Sequence, residues 1–133
     1  MAKFFADSNV LLYTTSKDQA KKEIARRIVG ATPTISVQVL NEFINVAVKK
    51  LKLPMAIAAD ALMPLRFGCE VVQLTIDTHL RAVEIARANT ISIYDANIIA
   101  AAELAGCDVL YTEDLNHGQK FGRVSIVNPF VAA

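Results

Sequence analysis

A chain of 133 residues that is 53% hydrophobic and 20% charged can build an apolar core, which excludes an intrinsically disordered protein. No apolar run approaches the roughly 18 residues of a membrane span, and Asp7 interrupts the stretch that a secretory leader would continue, so a cytoplasmic protein is expected. A formal net charge of +1 excludes binding of nucleic acid by overall charge alone.

Phe4-Phe5-Ala6 is a short apolar run ending at Asp7 and predicts a buried strand. Ala20, Ile24, Ile28 and Val29 recur at helical spacing, with Gly30 as the stop. Pro33-Thr34-Ile35 predicts a second strand, after which Ser36 caps a helix running to about Lys50. Pro54 restarts a helix toward Arg66, and Pro64 is expected to shorten it. Residues 70–74 predict a third strand. Asp77 is expected to cap the next helix, which carries Leu80, Val83 and Ala86 and turns Arg81, Glu84 and Arg87 to water. Residues 95–102 open a helix that is apolar almost all round, hence buried, and Gly106 ends it. Residues 108–112 and 124–127 close the chain as two further strands. Cys69 and Cys107 have no partner spacing and read as buried free thiols.

Short strands alternating with helices, joined by brief connections, predict one α/β domain over residues 1–133. Its sheet is mainly parallel and covered on both faces. In such sheets ligands bind beyond the carboxyl ends of the strands. Four acids meet that condition. Asp7 ends the first strand, and Glu42 lies in the second turn of the helix after Ile35, at the edge of the stripe Val39, Phe43 and Val46. Asp95 opens the buried helix, and Asp114 follows the strand through Leu110. Each also has an ordinary role open to it: a cap for Asp7, an exposed helix position for Glu42, a helix N-terminus for Asp95 and a turn for Asp114.

Carboxylates gathered at one rim repel, by roughly 4 kcal/mol per pair about 4 Å apart at an effective dielectric near 20. They either take up protons or recruit a cation. Mg²⁺ or Mn²⁺ suits an all-oxygen site and can activate water against a phosphodiester. Ser8, Asn9 and Thr112 stand beside the acids and are suited to orienting them. His79 and His117 read as exposed. No Ser–His–Asp or Cys–His pattern supports covalent catalysis, and no Gly-rich phosphate loop is present. The basic groups Lys17, Lys21, Lys22, Arg26, Arg27, Lys49, Lys50 and Lys52 suit either solvated helix faces or a local RNA contact.

Four segments, in order and at suitable spacing over nearly the whole chain, resemble the motifs of PIN domains. They are Asp7-Ser8-Asn9-Val10-Leu11-Leu12-Tyr13, Ser36-Val37-Gln38-Val39-Leu40-Asn41-Glu42-Phe43, Tyr94-Asp95-Ala96-Asn97-Ile98-Ile99-Ala100-Ala101-Ala102 and Thr112-Glu113-Asp114-Leu115-Asn116-His117-Gly118. The length resembles that of stand-alone VapC-like toxins. The resemblance implies a three-layer α/β/α fold and an Mg²⁺- or Mn²⁺-dependent endoribonuclease, the toxin of a toxin–antitoxin pair. It assigns metal binding and catalysis to Asp7, Glu42, Asp95 and Asp114, with Asn9 and Thr112 in support. It also implies an RNA substrate, a homodimer and a cognate antitoxin. Tyr94 stands where many such toxins have tryptophan, and Glu113 competes with Asp114 for the fourth acidic position.

Rival readings make different demands. A doubly wound phosphatase needs a second acid two residues after the first, where this chain has Asn9. A receiver-like or non-catalytic metal-binding or interaction module of doubly wound α/β fold needs paired acids at the first strand and a lysine after a late one. The pair is missing, and Lys120 is poorly placed.

Overall fold

The computed structural model describes residues 3–131; Met1 and Ala2, where the reading of the amino terminus begins, lie outside them. Strand β1 (Phe4–Ala6) leads into a short helix α1 (Ser8–Leu12), a 3₁₀ turn (Tyr13–Thr15) and helix α2 (Gln19–Gly30). Strand β2 (Thr34–Ser36) passes directly into α3 (Val37–Lys49), which is followed by α4 (Met55–Gly68) and β3 (Glu70–Val72). Helices α5 (Ile76–Asn89) and α6 (Ile93–Leu104) precede β4 (Val109–Tyr111), β5 (Lys120–Phe121) and β6 (Val124–Val127).

The six strands form one sheet in the order β3-β2-β1-β4-β6-β5. All neighbours are parallel except β5, which runs antiparallel to β6. Successive strand residues point to opposite faces. Phe5 and Ala6 are both fully buried, as are Ile35 and Ser36, so both faces of the sheet centre are covered. That is the three-layer α/β/α arrangement the alternating pattern predicts.

Helix α6 supplies much of the core. Ala96, Ile98, Ile99, Ala100, Ala101 and Ala102 are all buried, and small alanines allow close approach to α5 and to the sheet. Gly106, at φ +81°, turns the chain out of this helix into β4, a conformation that favours glycine.

Sequence and structure part company at several points, among them the third strand, which ends at Val72, and the strand β5, which the apolar pattern does not predict. Helix α4 runs through Pro64 to Gly68 instead of being shortened there. The cap of α5 is Thr75, in a reciprocal box with Thr78, and Asp77 lies inside the first turn. The buried face of α5 is Thr78, Ala82 and Ile85, while Leu80 is exposed. Of the cysteines, Cys107 is buried and Cys69 half-buried, and both are free. Among the described residues, no helix is long and apolar enough to cross a membrane.

The strand order reverses direction at β1, which has β2 on one side and β4 on the other. The carboxyl ends of β1 and β4 therefore frame the crevice in which sheets of this kind place their ligands.

Candidate active site

Asp7 closes β1 at that crevice and is 6% exposed. Its Oδ1 accepts the Ser8 backbone N–H at 2.7 Å, which makes it the N-cap of α1, and its Oδ2 accepts the Thr112 hydroxyl at 2.9 Å. The cap role and the site role thus coexist in one carboxylate. Thr112, fully buried just after β4, accepts in turn the side-chain amide of Asn9 at 3.2 Å and the backbone N–H of Asp114 at 3.1 Å. Asn9 Oδ1 accepts the Glu113 N–H at 3.4 Å. One hydroxyl and one amide tie together the ends of β1 and β4.

Glu42 projects from α3 beside its buried stripe of Val39, Phe43 and Ala47 and is half-buried. Its Oε2 accepts Gln38 Nε2 at 3.3 Å, and the same amide donates to the Tyr94 carbonyl at 3.1 Å, joining α3 to the start of α6. The Ser8 hydroxyl lies between two acids, 3.3 Å from Glu42 Oε1 and 3.5 Å from Asp7 Oδ1. Asp95 occupies the first turn of α6, where Ser92 is the cap and accepts the Asp95 N–H at 3.0 Å. The amides of this helix end therefore leave the Asp95 carboxylate free for another role.

Electrostatics place the acids on one edge. Burial first, and then the charge of Glu42, push Asp7 up to about 7 from an ordinary 3.8, with Asp114 adding to the rise. Burial likewise raises Glu42, with Asp95 and Asp114 contributing; burial and then Asp114 raise Asp95. The field of Asp114 thus reaches the other three. Glu113 is engaged elsewhere: its carboxylate accepts the Tyr13 hydroxyl at 2.8 and 3.0 Å. The Lys21 ammonium donates to the same phenol oxygen at 3.2 Å and sits 4.7 Å over its ring. Of the two neighbouring acids, Asp114 is the one coupled to the edge. His117 is exposed and accepts the Asn128 N–H at 3.0 Å, away from the acids' hydrogen bonds.

These residues fit a divalent cation in donor type and in charge. All the donors are oxygens, and the field they create on one another is what a cation relieves. They are not a closed cage: among the described residues no three His, Cys, Asp or Glu side chains stand close enough together to hold an ion. Glu42 is hydrogen-bonded to Gln38, and Asp7 to Ser8 and Thr112.

Sequence reading missed Gln38, Ser92 and the Tyr13–Lys21 clamp on Glu113. Gln38 is four residues before Glu42, a spacing that brings side chains together on a helix. Ser92 is three residues before Asp95, the spacing of a capping box. Nothing in the sequence signals the clamp, which joins residues 100 apart.

Fold and edge define a class, a doubly wound α/β protein with four acids at its switch point. The chain belongs to the PIN-domain family, whose model matches residues 4–124. Solved structures of similar fold include a toxin–antitoxin complex from Klebsiella pneumoniae, 21% identical over 97% of this chain and 98% of that one, with TM-score 0.71. The Mycobacterium tuberculosis VapC20, a sarcin–ricin loop cleaving toxin, is 23% identical over 84% and 90%, with TM-score 0.67. The DNA-bound VapBC of Salmonella typhimurium is 22% identical over 95% and 97%, with TM-score 0.68. A search of curated protein sequences finds no match.

Proposed function

We infer that this protein is a Mg²⁺- or Mn²⁺-dependent endoribonuclease of the cytoplasm and the toxin of a toxin–antitoxin pair. One observation carries the reading: four carboxylates couple electrostatically at the switch-point edge, and none of their hydrogen-bond partners among the described residues is basic. An edge of this kind is adapted to a cation, and its position at the strand ends is adapted to a substrate. Membership of the PIN-domain family and the shared fold of RNA-cleaving and antitoxin-bound neighbours support the same reading.

Asp7, Glu42, Asp95 and Asp114 would hold the ion. When bound, it supplies positive charge that activates water for in-line attack and stabilises the leaving oxygen. Thr112 and Ser8 fix the Asp7 carboxylate, Gln38 steadies Glu42, and Asn9 keeps the loop carrying Asp114 against α1. Burial and the neighbouring charge of Glu42 favour the protonated form of Asp7, and a bound cation would favour its ionised form. A homodimer and an antitoxin belong to this reading, and exposed Phe67, Ile76 and Met55 offer apolar surface for such partners.

The test is incubation of the purified protein with structured RNA and Mn²⁺ or Mg²⁺, with and without chelator, beside Asp7→Asn. Cleavage by the parent alone, abolished by chelator, is expected. Equal cleavage by the variant would remove this edge from the mechanism.

A further inference from the structure

Helix α2 turns Ile24, Arg27, Ile28 and Ala31, spaced three and four residues apart on one face, toward an open slot of about 610 Å³. The other wall is the sheet. Phe4 is in register with Val109, and Tyr111 with Val127, so Phe4, Tyr111 and Val127 point to the same side of it. All three are half-buried, whereas Leu110 and Ile126, on the side that α6 covers, are fully buried. An apolar slot therefore lies between helix and strands, and its volume falls in the range of ligand pockets, roughly 300–1,000 Å³. None of the four acids lines it.

The polar side chains of this slot share one property: each can donate a hydrogen bond, and none is acidic. Arg27 places a cation within the apolar stripe of α2 and has no acidic partner among the described residues. His117 accepts the Asn128 N–H at Nδ1, so its neutral ring carries the proton on Nε2, where it can donate. Asn128 spends its Oδ1 on the Phe130 N–H, which leaves its amide N–H groups as what it can offer a ligand.

A guanidinium, an imidazole N–H and a carboxamide beside one apolar slot complement an anion. A carboxylate has two oxygens for them, whereas a phosphate monoester has three and forms charge-assisted bonds with each. Aliphatic side chains on the helix wall and the Tyr111 ring on the sheet wall suit the faces of a flat ring.

We propose that this slot binds a ring-bearing phosphate monoester of the nucleoside monophosphate class, with the ring between Ile24, Ile28 and Tyr111 and the phosphate on Arg27, His117 and Asn128. The site is separate from the acid edge, and it stands or falls independently of the ribonuclease reading.

The test is a titration of the ¹⁵N-labelled protein, with chelator present, followed by ¹H–¹⁵N correlation spectra. Adenosine 5′-monophosphate is the probe, with adenosine and inorganic phosphate as its two halves. Saturable shifts are expected at the amides of residues 24–31, 117, 127 and 128, with a dissociation constant of about 1 mM or lower. Each half alone should bind about 10-fold or more weakly. Arg27→Gln should weaken the monophosphate by about 10-fold or more, the scale of a lost charge-assisted bond. Arg26→Gln removes the same charge one residue away and should stay within about threefold of the parent at about 0.15 M salt. Both arginines are exposed, and the spectrum of each unliganded variant checks its fold.

Equal weakening by the two variants, or adenosine bound as tightly as its monophosphate, would overturn the proposal. So would shifts confined to residues 7–9 and 112–114, which would put the nucleotide at the acid edge. Shifts that fail to saturate by about 10 mM would also end it.

Discussion

The Thr112 hydroxyl donates to Asp7 Oδ2 at 2.9 Å across 105 residues of sequence, joining the ends of the two strands at the switch point. The same oxygen accepts from Asn9 and from the Asp114 backbone, so one buried atom orients an acid, an amide and a loop. Thr112→Val keeps the shape and removes all three bonds. Urea unfolding in chelator is expected to show a loss of about 1–3 kcal/mol, the cost of leaving buried polar groups unpaired. Cleavage should fall about 10- to 100-fold, as when a residue orienting a metal ligand is lost. Unchanged cleavage would mean that Asp7 is oriented by Ser8 alone.

Stability should depend on pH in an unusual direction for a carboxylate. Asp7 binds its proton more tightly folded, at about 7, than unfolded, at 3.8. Between those values the native state carries the extra proton, so the contribution is complete below the unfolded value and disappears as pH rises through the folded one. Glu42 and Asp95 shift in the same direction. In chelator, the unfolding midpoint is expected to drop by several degrees between about pH 5 and about pH 8, and Mn²⁺ should restore it. Asp7→Asn should flatten the profile and melt higher than the parent at the alkaline end. A parent midpoint that climbs over this range would contradict the crowding of the edge.

The strand ends were legible because apolar runs of three or four residues stop at polar ones, and a parallel sheet then dictates where function sits. Asp7, Glu42, Asp95 and Asp114 follow from that logic together with the motif resemblance. Local hydrogen bonding was harder to read. Thr75 outcompetes Asp77 as a cap because its partner Thr78 answers it reciprocally, and both choices fit the same apolar pattern. Strand β5 has two residues, of which only Phe121 is buried, too short for a period to register. The orientation of Glu113 depends on Tyr13 and Lys21, brought to it by the fold alone.

Pro64 lies within α4 without ending it, and the reason is visible in its surroundings. A helical residue there would donate to the Asp60 carbonyl; Asp60 and Pro64 are both exposed, so water can serve that oxygen. Buried Ala58 and Leu62, with half-buried Leu65, hold the two sides of the break to the rest of the protein. Pro64→Ala restores the bond and relieves the ring clash, against a gain in freedom of the unfolded chain. Net stabilisation of about 1 kcal/mol by urea unfolding is expected, with cleavage unaltered. A destabilised variant would mean that the proline ring itself is required for packing.

Asp114 and Glu113 are adjacent carboxylates with opposite engagements, which makes them a controlled comparison. The charge of Asp114 acts on Asp7, Glu42 and Asp95, whereas Glu113 accepts two contacts from the Tyr13 phenol. Asp114→Asn should lower metal-dependent cleavage by about 100-fold or more, the scale on which metal-site residues act, while Glu113→Gln should stay within about threefold of the parent. Tyr13→Phe removes the hydroxyl and frees a fifth carboxylate beside the edge. That variant is expected to cleave several-fold more slowly, and adding Glu113→Gln to it should recover most of the loss. The recovery is the discriminating measurement: a merely structural role for Tyr13 would leave the double variant as slow as the single one, because the lost packing would remain lost.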